Sequence, residues 1–567
     1  MVAQSSSPSK ETWKERLGQS LKDLLTWRYY WDAFRKCWNI PTILLLIAVF
    51  AMNWAFRTYC LKKPVDWSPL EWEPMTWVIF DSIVTFFLLR CGWWFQYPVL
   101  ILVSFLGAVH LTTTHLYRHM LHYGMLASVF ETNASETSEF LDYVGWYPFA
   151  AFAVLLLVFW GLTFKASRNG LIGTLLLLGV SLYPVIEIAV PAVMGAADKE
   201  AYEFAYFPME KLKQRFVNST VFRIPTMVGQ YVSIHSRMIL ASYRDRVLPD
   251  GVTYHPAAVS PDIPRRIIFV LGESDWRGHH GAYGYPHGTD HFMMARRGNP
   301  ATTAFFNGIS PACVTRDAIS RLFTFATARN IDPFSENMGI VDMAKNAGYQ
   351  TGWYSRQNWS GIYDTLVKIV AQQADETVYY DQGHDEVLVP PLRQAIKAGK
   401  RQFLVIHVWG SHMGYGERHD ASDYKAASGS PKPYRRYDAT IAHTDKVLSE
   451  VNRLADNTTL FVYVPDHGEI INTGHGLPDL IGSQFEVPLI AWSSNTRYIS
   501  RFKKIVARYA IADGALFNTS ALPFVMAEMM GYHVTEKTRA QSLQDSRYIF
   551  NVDGYPYPVS RLENLMK

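Results

Sequence analysis

Five apolar stretches crowd the first third of this chain, at about 38–57, 74–90, 96–114, 145–164 and 170–194. Each comes near the roughly 20 residues a helix needs to cross a bilayer. A backbone in hydrocarbon must satisfy its own hydrogen bonds, so stretches of this kind fold as helices. They predict a transmembrane domain of five helices over 38–194, with Asp81 interrupting the second. The 17 Trp residues fit, because much of the aromatic excess lies before residue 165, where belts form at a bilayer surface.

Five spans place the two ends of the chain on opposite sides. Residues 1–37 form a basic tail containing Lys10, Lys14, Arg16, Lys22, Arg28, Arg35 and Lys36, and the loop with Lys165 and Arg168 shares its side. Positive residues stay inside, so the amino terminus is expected in the cytoplasm. The loop 115–144, with Glu131, Glu136, Glu139 and Asp142, falls outside together with everything after 194. No apolar signal-peptide core precedes the first stretch, so its cleavage is not expected. Residues 195–262 read as a connector along the membrane face. A formal net charge of +4 over 567 residues points away from nucleic-acid binding.

From 263 to 567 the pattern changes. Short apolar runs (IIFVLGES, GYQTGWYS, RQFLVIHVWG, TLFVYVPD, VPLIAWSS) alternate with helix-period segments. That alternation predicts an α/β domain whose mostly parallel sheet is covered on both faces. Of the four cysteines only Cys313 falls here, which excludes a disulfide framework inside this domain.

Three of its turns carry the chemistry. RRIIFVLGES ends in Glu273, TLFVYVPDHGE contains Asp466 and His467, and Thr315 lies in NGISPACVTRDAIS. Open α/β sheets keep their sites at the carboxyl ends of the strands, so these residues are expected to converge there. Two carboxylates, an imidazole and a hydroxyl suit a zinc-like ion, which would also make the hydroxyl a nucleophile. Each residue also has an ordinary reading. Glu273 could cap a helix and Thr315 could cap the helix beginning at Arg316, whereas Asp466 and His467 can both reach one ion if the chain turns there, and Gly468 permits the turn. His407 at a strand end is equally open to a structural role, and His279 and His280 are expected to line the outside of the site.

GESDWRGHHGAYGYPHGTD (272–290), VTRDAISRLFT (314–324), HVWGSH (407–412) and PDHGEIINTGHG (465–476) resemble the motifs of bacterial phosphoethanolamine transferases. These belong to the alkaline-phosphatase superfamily and include lipid A and colistin-resistance enzymes. The resemblance implies an inner-membrane enzyme with a periplasmic, alkaline-phosphatase-like catalytic domain. It would move phosphoethanolamine from phosphatidylethanolamine to a cell-envelope glycan or lipopolysaccharide acceptor, releasing diacylglycerol.

On that resemblance Thr315 is the nucleophile, and Glu273, Thr315, Asp466 and His467 hold Zn2+, with a second zinc site admitted. His412 and His475 fall on histidines that hold the substrate phosphate or a second zinc. Thr132 and Glu136 stand where relatives bind the ethanolamine amine, and Ser128 where several have Asn; a capping box from Asn133 to Glu136 is the alternative. YSRQNWSGIYD (354–364) offers Arg356, Gln357 and Asn358 as the polar cluster that follows the nucleophile.

Phosphoglycerol transferases, which use phosphatidylglycerol with Mn2+ or Mg2+, share the metal-ligand set and form the second reading. A non-catalytic envelope protein on the same fold is the third. The sulfatase signature C/S-x-P-x-R fails, because Cys313 is followed by VTRD. Many relatives carry several disulfides in this domain, and this chain departs from them.

Overall fold

The computed structural model describes residues 38–60, 72–90, 93–117, 120–122, 144–168, 219–229 and 246–565. Within the last range 256–259, 358–364, 400, 478–479, 512–514, 553 and 555 are excepted, and 125–126, 141, 179, 182 and 231–232 are described singly or in pairs. Contacts divide the chain into two compact units, Met1–Leu121 with Val144–Gln230, and His122–Tyr143 with Tyr231–Lys567.

In the first unit four of the five apolar stretches are helices: α1 (Ile40–Cys60), α2 (Trp72–Leu89), α3 (Trp93–Tyr117) and α4 (Tyr147–Thr163). The expected fifth stretch falls almost wholly outside the described residues, as does the basic tail. Among the described residues two helices, Ile40–Arg57 and Gln96–Tyr117, are long and apolar enough to cross a membrane; Met75–Leu89 and Tyr147–Thr163 are apolar but shorter. The expected count of five is therefore not reached here. The side chains tell more than the lengths. Ile40, Ile47, Leu102, Phe105, Phe149, Val154 and Leu157 are each more than half exposed, whereas Asn53, Asp81, Ser82, Ser104 and His110 are buried.

Asp81 does not interrupt α2, contrary to expectation. Its Oδ1 accepts from Ser219 Oγ at 2.6 Å and its Oδ2 from the Thr220 amide at 2.7 Å. Thr220 Oγ1 lies 3.0 Å from that carboxylate and 2.8 Å from Asn53 Oδ1. The carboxylate thus satisfies donors at the start of the helical segment that follows Ser219, a good place for negative charge. A buried acid with partners leaves its own helix intact.

The second unit is built on an eight-stranded sheet: β1 (Arg266–Gly272), β2 (Thr303–Ile309), β3 (Gln350–Ser355), β4 (Glu376–Tyr379), β5 (Gln402–His407), β6 (Thr459–Pro465), β7 (Glu486–Trp492) and β8 (Phe517–Asn518). Their spatial order is β4-β3-β5-β1-β6-β7-β2-β8. All pairs are parallel except the two made by β7. The 466–485 loop brings the chain back along the edge where β6 ends, so β7 returns antiparallel.

Every residue of β1, β5, β6 and β7 is buried. Alternate residues feed opposite layers. Ile267, Phe269 and Leu271 enter one core, and Ile268 and Val270 the other. That continuous apolar run is the signature of a strand covered on both faces. Among the helices that matter below are α5 (Thr315–Leu322) and α6 (Arg435–Asn452).

Candidate active site

Parallel strands deliver their carboxyl ends to one edge, and the chemistry collects there. Glu273 follows β1 directly, Asp466 and His467 follow β6, and Thr315 opens α5 a few residues after β2. Thr315 Oγ1 lies 3.4 Å from Glu273 Oε1 and 3.2 Å from His467 Nε2. His467 Nε2 is 3.6 Å from Glu273 Oε1 and 3.3 Å from Asp466 Oδ2. Glu273 and Asp466 are each 1% exposed and His467 is 0% exposed, whereas Thr315 keeps partial access to solvent.

The helix-cap alternative for Thr315 does not hold. Val314 occupies the cap position with no side-chain bond, and Thr315 is already the first helical residue. Its hydroxyl turns instead toward the acids. The amide-rich start of α5 is then free to face a phosphate.

Two buried carboxylates facing each other cannot both stay charged without compensation. Burial, and then Asp466, push the Glu273 carboxyl up to about 8. Burial pushes Asp466 up to about 7. Burial also holds the His467 imidazole down to about 4, so the ring is neutral. Its Nδ1 is 2.8 Å from the Gly468 carbonyl, which assigns the ring proton there and turns the Nε2 lone pair toward the acids. Asp466 Oδ1 accepts from two amides, His467 at 2.7 Å and Ser274 at 3.2 Å, but its buried Oδ2 has no hydrogen-bond partner. Ligand atoms of Glu273, Asp466 and His467 lie within 4.8 Å of one another. An orphaned carboxylate oxygen, a second acid and an aimed imidazole lone pair fit a divalent cation.

Three residues support the acids: Ser274 and Glu469 were not assigned from sequence, and Gln357 was offered there only as part of a polar cluster. Ser274, in the left-handed region at φ 52°, donates through Oγ to Glu273 Oε1 at 2.9 Å. Such strain in a non-glycine residue is tolerated where surrounding contacts over-determine it. Gln357 Nε2 donates to the other Glu273 oxygen at 2.9 Å and to the Val408 carbonyl at 3.2 Å. Glu469 accepts from Tyr415 at 2.9 Å and lies 2.9 Å from His475 Nδ1. Gln357 and Glu469 were visible inside quoted motifs, but nothing in their spacing said which way they faced.

His475 and His412 extend the site. The His475 ring centroid is 4.1 Å from that of His467 and 4.9 Å from that of His412. Burial lowers the pKa of both, and for His412 the nearby Arg418 adds to it. Arg356 goes elsewhere: it donates to the Gly383 and Tyr380 carbonyls at 2.6 and 3.2 Å and stacks 4.4 Å over Trp409. Ser128, Thr132, Glu136 and Asn358 lie outside the described residues.

His279 and His280, expected to line the outside of the site, are internal ties. Both are buried; His279 pairs with Asp438 at 2.5 Å, and His280 bridges Asp275 and Asp290 at 2.7 and 3.1 Å. Gly468 is required for closeness and not for a left-handed turn, since a Cβ there would sit 2.0 Å from the Ser483 carbonyl oxygen. His407 is buried with Nδ1 3.2 Å from Ser355 Oγ.

This sheet and this edge are those of an alkaline-phosphatase-like α/β domain. Residues 265–503 match the family described as Sulfatase, and residues 79–196 match Phosphoethanolamine transferase EptA/EptB. Cys313 is buried and its thiol is pushed far up by burial, so the sulfatase match marks the superfamily and not a sulfatase nucleophile. More narrowly, the chain is similar to bacterial phosphoethanolamine transferases, and its relatives support a transferase activity. Phosphoethanolamine transferase EptC of Escherichia coli O18:K1:H7 is 22% identical over 408 residues, covering 65% of this chain and 69% of that one. Putative transferase YhbX of Escherichia coli K12 is 27% identical over 460 residues, covering 76% and 79%. The fold matches the integral membrane protein lipooligosaccharide phosphoethanolamine transferase A (EptA) from Neisseria meningitidis, with a TM-score of 0.62 at 16% identity over 88% of this chain and 97% of that one.

Proposed function

We propose that this chain transfers phosphoethanolamine from phosphatidylethanolamine to a hydroxyl of a cell-envelope glycan or lipopolysaccharide. The observation that carries the reading is a hydroxyl at a helix N-terminus, 3.2–3.4 Å from a buried imidazole and carboxylate beside an orphaned Asp466 oxygen. Glu273, Asp466, His467 and Thr315 would hold zinc, which when bound lowers the hydroxyl pKa and offsets charge that develops on the phosphoryl oxygens. A second ion near His412 and His475 is part of the same reading.

Thr315 Oγ1 attacks phosphorus, forming a Thr–O–P bond while the bond to the diacylglycerol oxygen breaks. That oxygen takes a proton and diacylglycerol leaves. The acceptor hydroxyl then attacks the phospho-threonine, gives up its proton and releases Thr315. His475, backed by Glu469, is placed to accept and return these protons, because an imidazole oriented by a carboxylate is a suitable acid–base group. Amides at the start of α5 hold the phosphoryl oxygens. His412 faces the same space and would bind the phosphate. Asn358 is the proposed flanking contact, and Ser128, Thr132 and Glu136 the contacts for the ethanolamine amine.

The site would stand on the periplasmic side of the inner membrane, anchored by five helices with the amino terminus in the cytoplasm. Confinement beside a lipid donor raises its effective concentration. The test is incubation of purified protein with labelled phosphatidylethanolamine and zinc. Diacylglycerol release with one phosphoethanolamine on the Thr315 peptide, both lost in Thr315→Ala, supports the reading. An adduct formed only from phosphatidylglycerol replaces the donor, and no adduct with no bound metal overturns catalysis altogether.

A further inference from the structure

A second set of metal-capable side chains stands apart from the quartet. His384 and Glu386 lie in the turn after β4, and His443 lies on α6. One ligand atom from each falls within 4.8 Å of the others. His443 is 1% exposed. Its Nδ1 is 2.7 Å from Asp423 Oδ2, which suits a ring proton on that nitrogen and an Nε2 able to ligate a cation. That buried Nε2 has no hydrogen-bond partner and is 3.3 Å from Glu386 Oε2. The His384 ring lies edge-on, 5.3 Å from His443 by centroids.

An ordinary ion pair is the competing account, and the geometry weakens it. Against its burial, Asp423, Asp385 and Glu386 do raise the His443 pKa, yet its Nε2, 3.3 Å from Glu386 Oε2, makes no hydrogen bond to it. The nearby cation, Lys446, is occupied mainly by Asp420 at 2.9 Å and reaches Glu386 only at 3.7 Å. Two ligands on one tetrahedral ion with bonds of about 2.0–2.1 Å stand roughly 3.3–3.4 Å apart, which is the separation seen here. Asp423 is itself fixed, since its Oδ2 also accepts from the Asp420 amide at 3.0 Å. A carboxylate that orients a ligating histidine in this way is the usual outer partner of a metal site.

We propose that His384, Glu386 and His443 bind a zinc-class divalent cation, with Asp423 positioning His443. The ion ties the turn after β4 to α6. Asp385, between the two turn ligands, accepts from the Trp409 and Gly410 amides at 2.6 and 3.2 Å. Thr440 on α6 donates to Ser411 Oγ at 2.7 Å, and the Ser411 amide donates to the Glu273 carbonyl at 2.9 Å. The cross-link therefore braces the loop that leads into His412 from two sides. Its role is structural, and its ligands take no part in the transfer.

The full chain, purified in detergent and stripped with chelator, is titrated with zinc alone and its metal content measured. The comparison uses wild type, His384→Ala/Glu386→Gln and Glu273→Gln/Asp466→Asn. The first variant is expected to bind one zinc fewer than wild type while keeping its transfer activity in excess zinc. The second is expected to keep the zinc at this site, so that its zinc content falls by one when His384→Ala/Glu386→Gln is added. Equal zinc content in wild type and His384→Ala/Glu386→Gln overturns the proposal. His384 and Glu386 are only half-buried, so that comparison decides even if the Glu273→Gln/Asp466→Asn chain does not fold.

Discussion

The two units of this protein are solvated in opposite ways. In the first, Phe149, Leu157, Ile101 and Ile47 point outward, while Asn53, Asp81 and His110 are buried. In the second, the apolar strands β1, β5, β6 and β7 are wholly inside, and few large apolar side chains are exposed among the described residues. An apolar exterior is stable where lipid replaces water, and there the buried polar groups join helices together. In water the order reverses, and buried acids survive only with partners or an ion. Asp81 and Asp466 show the difference. Both are buried carboxylates, but Asp81 has hydroxyl and amide donors on both oxygens, whereas Asp466 keeps one oxygen bare. A satisfied acid is a joint, and an unsatisfied one is a site.

The largest effect tests the second unit's site. Thr315→Ala should lower transfer by roughly 10³-fold or more, as loss of a nucleophile does, while the melting temperature of the full chain barely moves. A variant with near-normal turnover would remove Thr315 from the chemistry. Next comes a test of the two exteriors. Leu157→Lys on α4 should cost about 2.5–3.5 kcal/mol of membrane insertion, whereas Val247→Lys, of similar exposure in the second unit, should stay within about 0.5 kcal/mol of wild type. Equal tolerance at both positions in an insertion and melting assay would erase the contrast.

Asp81→Ala should destabilise the first unit by about 1–3 kcal/mol, because the Thr220 amide and the Ser219 hydroxyl lose their acceptor. Thermal melting in detergent measures it, with zinc affinity at the quartet expected to be unchanged. The smallest effect concerns Gln357. Removing its bond to Glu273 Oε2 in Gln357→Ala should weaken zinc binding about tenfold with little change in stability, read by competition with a chelator. A lower melting temperature with unchanged zinc affinity would make Gln357 a packing residue.

Legibility in the sequence followed the locality of the signal. The strand runs at 267–271 and 460–464 are continuous and apolar, so their identity and the turn chemistry at their ends could be read directly. β2, TAFFNGI, was missed because its apolar residues are broken by Asn307 and Gly308, which only its place between β7 and β8 makes a strand. Asp81 was read as a break because charge in an apolar helix is costly, and its partners lie 138 residues away or more. His279 and His280 sit beside a catalytic motif, yet Asp438, Asp275 and Asp290 make them internal ties.

What the sequence determined by itself was the alternation that makes the sheet, the apolar lengths that make the helices, and the residue types at the strand ends. These depend on neighbours along the chain, and short-range periodicity records them. Only the tertiary structure decided which acids are satisfied and which are bare, that Gln357 and not Arg356 faces Glu273, and that His443 turns its buried Nε2 toward Glu386. Those outcomes depend on where distant segments place their donors, because a buried polar group is defined by the partners that surround it.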